Sequence, residues 1–189
     1  MIYFVDNFLS QELLDEFLQD DSEFFEFPTE GKSFWVRFPS NKFNQYVISE
    51  IEKIENKKVQ NILSFFREAK EGQDNNWRIH NDARSGAFFG HQPHRAIVLF
   101  MESEETDSLN GTAFWEHEKY GDIYFDRGDE HFDEILKSES ERREAWTLKS
   151  VIGYKQNRLL SYPCQYFHSK YPNEFKQPRR VFVMFYKVY

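Results

Sequence analysis

The chain has 189 residues, with 24 basic against 32 acidic side chains and a formal net charge of −8. That length suits one domain, and the acidic balance argues against a nucleic-acid-binding surface, which carries a basic patch. Aromatic residues make up 19% of the chain while all hydrophobic residues reach only 40%, so aliphatics are scarce; disorder is excluded, because disordered chains are poor in rings, and a ring-rich core leans towards β structure.

A single cysteine, Cys164, leaves no internal disulfide framework and no Cys-rich zinc site. No stretch reaches the ~18 apolar residues of a membrane span. Residues 1–6 (MIYFVD) lack the basic start and long apolar segment of a secretory signal. A soluble protein in a reducing, cytoplasmic compartment is expected.

In chain order, residues 2–5 read as a short strand, and Ser10 as the N-cap of a helix over 11–19 with Leu13, Leu14, Phe17 and Leu18 on one face. Residues 33–38 suit a strand. Val47, Ile48, Ile51 and Ile54 recur at helical spacing, which predicts a second helix over 45–55. Strands are expected over 59–69, 77–80, 94–101 and 112–115, with an exposed acidic loop at 102–111. A polar insertion follows, with a helix over 130–138. Residues 146–154 and 158–162 read as strands joined by Lys155-Gln-Asn157, 166–168 as a short one, and 179–189 as a long aromatic closing strand. Helices first and many short strands after them predict a mainly β sandwich or barrel with helical buttressing.

Two His-x-Asp pairs occur, His80-Asn-Asp82 and His131-Phe-Asp133. On a strand, residues i and i+2 share a face and can grip one ion. On a helix the same spacing sets them roughly 200° apart, at ~100° per residue. The first pair falls at the end of a predicted strand and the second in a predicted helix, so only His80 and Asp82 form a credible chelate. His168, at the end of a later strand, supplies a third ligand. Two imidazoles and one carboxylate on one side of a metal, with open positions opposite, is the donor set of non-haem Fe(II) oxygenases. An Arg opening the next strand can hold a carboxylate through paired hydrogen bonds. His91 and His94 flank a Gly/Pro-marked loop and are expected to face solvent or substrate. His117, between Glu116 and Glu118, is expected to be solvated, and Trp77 and Trp115 to lie in the core.

The order His80-x-Asp82 … His168 … Arg179 resembles the 2-oxoglutarate/Fe(II)-dependent dioxygenase superfamily, and within it the prolyl-4-hydroxylase-like members. The opening YFVDNFLSQELLDEF is similar to their strand-then-helix start. NGTAFWEH at 110–117 is similar to their GGT-F segment, and residues 157–187 to their iron-binding His, loop and Arg-led last strand. Residues 121–146 have no clear counterpart.

The resemblance implies a double-stranded β-helix (jelly roll), one domain over 1–189 with an N-terminal helical buttress about 1–56. It implies Fe(II) held by His80, Asp82 and His168, and 2-oxoglutarate held through its far carboxylate by Arg179. Arg180 faces the opposite way from Arg179 on a strand; inward parity shared with Val181, Val183 and Phe185 favours Arg179. Where the family often carries a hydroxyl two residues after this Arg, the chain has Val181, so another hydroxyl, such as a Tyr, is expected to share the carboxylate.

The activity implied is hydroxylation of an unknown substrate, a small molecule or a peptide side chain, with release of succinate and carbon dioxide. Neither nucleic acid nor membrane is expected as a partner. Two other readings use the same residues: a jelly-roll binding or scaffold protein without catalysis, and a cupin-type metalloenzyme that does not use 2-oxoglutarate.

Overall fold

The computed structural model describes residues 1–29, 32–69, 78–83, 92–103, 110–124, 134, 137–172 and 178–189. Helix α1 (Gln11–Gln19) begins where the Ser10 side chain accepts the Leu13 N–H at 3.4 Å, and it buries Leu13, Leu14 and Phe17. Leu18, expected on that face, stands exposed near the helix end. Helix α2 (Asn41–Glu55) starts four residues earlier than its apolar periodicity suggests. Ser40 caps it by accepting the Phe43 N–H at 3.2 Å, which brings Phe43 into the buried row with Val47 and Ile51. Ile54, in its last turn, is exposed instead.

The strands are β1 (Tyr3–Val5), β2 (Phe25–Thr29), β3 (Lys32–Arg37), β4 (Val59–Ala69), β5 (Arg95–Ser103), β6 (Gly111–His117), β7 (Trp146–Gly153), β8 (Arg158–Pro163), β9 (His168–Tyr171) and β10 (Arg179–Val188). They pair antiparallel into two sheets, of order β1-β8-β5-β10-β4-β3-β2 and β7-β6-β9. Strand β2 was not among the elements expected from the sequence. It sits at the sheet's edge and pairs with β3 alone, a place where a strand tolerates proline. The segment 1–56 therefore carries strands as well as its two helices.

The predicted strand over 77–80 does not form among the described residues. Arg78 takes a left-handed backbone (φ 43°), and His80 makes only an isolated bridge to His168. Trp77, His91, His131 and Asp133, residues 104–109 of the acidic loop and most of the predicted helix over 130–138 lie outside the described residues; Glu134 and residues 137–139 are helical.

The apolar residues sort by strand parity into three layers. Helices α1 and α2 cover the outer face of the large sheet, where Phe66, Ile97, Leu99, Met101, Leu159, Phe182 and Met184 meet Leu13, Phe17, Phe43, Val47 and Ile51. Phe43 touches Phe66 and Phe182 with ring centroids 5.0 Å apart in each case. Between the sheets lie Ala96, Val98, Phe100, Leu160, Tyr162, Val181 and Phe185 from the large sheet and Phe114 from the small one. Behind the small sheet, Ile79, Trp115, Tyr124, Trp146 and Phe167 close a third cluster. Rings packed edge to face contribute beyond their buried area, so few aliphatics suffice. The connection Lys155-Gln-Asn157 carries the chain from β7 in the small sheet to β8 in the large one, which is how the sheets come to enclose a common core.

Candidate metal centre

The centre is assembled at the rim where β8 ends and β9 begins. His80 and His168 exchange backbone hydrogen bonds, His80 N–H to His168 O at 3.0 Å and His168 N–H to His80 O at 2.8 Å. Two residues on, the Asp82 N–H donates to the Cys164 carbonyl at 2.8 Å. The His80–Asp82 segment is thus pinned at both ends, to β9 and to the residue that follows β8. Without a strand at 77–80, these two anchors replace sheet pairing as the reason both side chains reach one point.

The Nε2 atoms of both imidazoles face the same carboxylate. His168 Nε2 lies 3.2 Å from Asp82 Oδ2, and His80 Nε2 lies 3.7 Å from Asp82 Oδ1. One ligand atom from each of the three residues falls within 4.8 Å of the other two, and this is the one such cluster of His, Cys, Asp and Glu among the described residues. Each Nδ1 is turned to a backbone carbonyl, that of Arg78 for His80 (2.6 Å) and that of Tyr166 for His168 (2.9 Å). A carbonyl only accepts, so each Nδ1 carries a hydrogen and Nε2 is the nitrogen that faces the centre and is left for a metal. This is the outer-shell arrangement that orients imidazoles around a metal.

The two histidines differ electrostatically. Asp82 and His168 are buried, whereas 49% of the His80 side chain is exposed. The protein massed behind the His80 ring, and then the charge of His168, push its pKa down to about 4, which keeps it neutral and able to bind a metal. Burial works to lower His168, but the charge and hydrogen bond of Asp82, with the Tyr166 carbonyl, outweigh it and raise its pKa. Aromatic rings wall the inner side: Tyr162 lies 4.6 Å from the His168 ring and Phe114 lies 6.5 Å from it, centroid to centroid. Burial, and next the Asp82 charge, hold the Tyr162 hydroxyl well above its usual pKa, so it remains a neutral donor.

Arg179 and Arg180 take opposite sides of β10. Arg179 is buried between the sheets, donates from Nη2 to the Gly111 carbonyl at 3.1 Å, and lies 5.2 Å from the Phe100 ring centroid. Burial, and then the charge of Arg67, lower its pKa to about 9. Arg180 turns outward to Glu68 at 3.0 Å and Glu102 at 2.6 Å. Tyr154 packs against that same Phe100 ring, with centroids 5.7 Å apart, while Val181 offers no hydroxyl.

His117 is not solvated as expected. It is buried, with Nε2 2.7 Å from Glu139 Oε2 and Nδ1 accepting the Lys119 N–H at 3.1 Å, and it stacks on Tyr120. Its role is to fasten the end of β6. His94 is exposed, and its Nδ1 accepts the Val188 N–H at 3.4 Å. Arg67, Tyr162 and Gly111 were missed in the sequence. Arg67 could have been found, because it is in phase with the inward Leu63 and Phe65 on a strand whose bounds were predicted correctly.

No family model and no curated protein matches the sequence. Solved structures do match in fold. SnoN, a non-haem α-ketoglutarate-dependent epimerase from nogalamycin biosynthesis, superposes with a TM-score of 0.61 at 9% identity over 98% of this chain and 77% of its own. AviO1 from Streptomyces viridochromogenes gives 0.57 at 10% over 98% and 88%. The viral collagen prolyl hydroxylase of Paramecium Bursaria Chlorella virus-1, solved with 2-oxoglutarate, gives 0.55 at 10% over 98% and 94%. The chain has the double-stranded β-helix fold of the 2-oxoglutarate/Fe(II)-dependent oxygenases. Its candidate triad, two imidazoles and a carboxylate, suits a divalent metal with open positions.

Proposed function

We propose that the protein is an Fe(II)- and 2-oxoglutarate-dependent dioxygenase that hydroxylates its substrate. The observation that carries this reading is the convergence of His80 and His168 on Asp82 with both Nδ1 atoms committed to backbone carbonyls, in a fold shared with such enzymes. A ferrous ion bound there, with 2-oxoglutarate and dioxygen, would supply the oxidation: one oxygen atom goes to succinate, the other to the substrate C–H bond, and carbon dioxide leaves.

The chain's own residues prepare that chemistry. His80, Asp82 and His168 would hold the ion, with Asp82 neutralising one of its charges. Arg179, buried and cationic at neutral pH, would fix the far carboxylate of 2-oxoglutarate through paired hydrogen bonds. Phe114 and Tyr162 exclude water from the inner wall, and the exposed side of His80 leaves an approach for substrate. Cofactor chemistry needs this positioning and dryness from the protein.

The test is succinate release from 2-oxoglutarate by Fe(II)-loaded protein, together with 2-oxoglutarate binding by the same sample. Binding and turnover are expected; the absence of both sinks the reading. Arg179→Ala is expected to weaken 2-oxoglutarate binding by ~10- to 100-fold, the worth of hydrogen bonds to a charged group, with metal affinity unchanged. Full activity in that variant would favour the cupin-type reading.

A further inference from the structure

Arg67 stands in β4, whose residues 63, 65 and 67 alternate onto one face. Leu63 and Phe65 on that face pack against the intersheet cluster that holds Val181, Val183 and Phe185. The register sets Arg67 directly opposite Val181 on one side of β10, and Phe100 opposite Val181 on the other. The Arg179 guanidinium lies over that same Phe100 ring, 5.2 Å from its centroid. Arg67 and Arg179 are therefore diagonal neighbours on one face of adjacent strands, where like charges oppose each other.

They are not equivalent. Arg179 is buried and bonded to the Gly111 carbonyl, while Arg67 is only partly buried. The level at which they lie adjoins the triad: Val181 and Phe100 share the intersheet cluster with Tyr162, whose ring centroid is 4.6 Å from that of His168.

We infer that Arg67 and Arg179 together form a two-guanidinium site for a carboxylate beside the metal triad. A carboxylate offers about four lone-pair sites and can accept from both forks at once. The carboxylate comes either from the far end of the 2-oxo diacid or from the substrate. The inference rests on the dioxygenase reading for the identity of the diacid, but not for the anion site.

Titration calorimetry on Ni(II)-loaded wild type and Arg67→Gln tests it without turnover. The probes are 2-oxoglutarate, 2-oxopentanoate (which lacks the far carboxylate) and glutarate, the last added both alone and after saturation with 2-oxoglutarate. If the site holds the co-substrate, Arg67→Gln weakens 2-oxoglutarate by ~10- to 100-fold and leaves 2-oxopentanoate unchanged. If it holds the substrate, 2-oxoglutarate binding is unchanged and glutarate binding to the saturated protein is lost.

Arg67→Gln that matches wild type with every probe overturns the inference. Wild type that fails to bind 2-oxoglutarate, yet binds glutarate through Arg67, overturns the dioxygenase reading and leaves the anion site standing. If no probe binds wild type, both fall. Should Arg67→Gln fail to fold, Arg67→Lys keeps the charge and loses the fork, and a roughly tenfold weakening is expected from it.

Discussion

Asp82 is the residue on which the centre turns, because both imidazoles address its two oxygens. Asp82→Ala is expected to cost at least ~100-fold in metal affinity, since even outer-shell changes around a metal cost 10- to 100-fold. Titration with Mn(II) followed by electron paramagnetic resonance would measure it, and unchanged affinity would remove Asp82 from the ligand set. Gly111 acts at the same scale. A Cβ there would run into the Ile152 carbonyl, and the Gly111 carbonyl is the acceptor for Arg179. Gly111→Ala is therefore expected to move β6 off β7, weaken 2-oxoglutarate binding and spare the metal. Calorimetry with each ligand in turn separates these effects.

At the scale of elements, the turn between β7 and β8 is fastened to the N-terminus. Asn157, in a left-handed conformation (φ 62°), accepts the Leu9 N–H at 2.7 Å and donates to the Leu9 carbonyl at 3.0 Å. Asn157→Gly keeps the backbone conformation available and removes both bonds. A loss of about 1–3 kcal/mol is expected, a fall in Tm of about 2–4 °C for each kcal/mol at this chain length, read by calorimetry.

Beside it, the hydrogen bond from Arg158, and then that from Lys155, hold the Asp6 carboxyl well below the usual range. Its folded pKa lies below its unfolded value of about 3.9. The stabilisation is therefore present above about pH 4 and lost as pH falls through the folded pKa. Asp6→Asn should lower Tm at pH 7 and flatten its decline below pH 4; a decline as steep as in wild type would count against this pair.

At the scale of the molecule, stability rests on the layer between the helices and the large sheet. Phe182 is fully buried there against Phe43 and Phe66, and Phe182→Ala is expected to cost about 3–5 kcal/mol, measurable by urea unfolding. Fe(II) binding by any folded fraction should be unchanged, because Phe182 faces away from the triad. The aromatic excess thus does separate work on three faces: it secures the helices, fills the intersheet core, and closes the outer side of the small sheet.

Most elements were legible in the sequence because their signals are local. Ser10 caps α1, and an apolar run marks β5. The exceptions lacked a strong local signal: β2 is an edge strand held by its pairing to β3, and Ser40 caps a helix whose first turn is polar but for Phe43. The triad was legible as a pattern, but the reason offered for it, a strand through 77–80, was not the one the fold uses. His80 and Asp82 converge through bonds to His168 and Cys164, more than eighty residues away in the chain, and no local rule reports such a partner. The direction of Arg179 followed from strand parity. Parity says which face a side chain takes and nothing about what meets it there. That Arg67 becomes the diagonal neighbour of Arg179 depends on the register of β4 against β10, and that His117 is buried depends on Glu139 arriving from another element. The sequence carries residue types and their local periodicity; which distant groups share a dry, charged space follows from how the sheets pair and close.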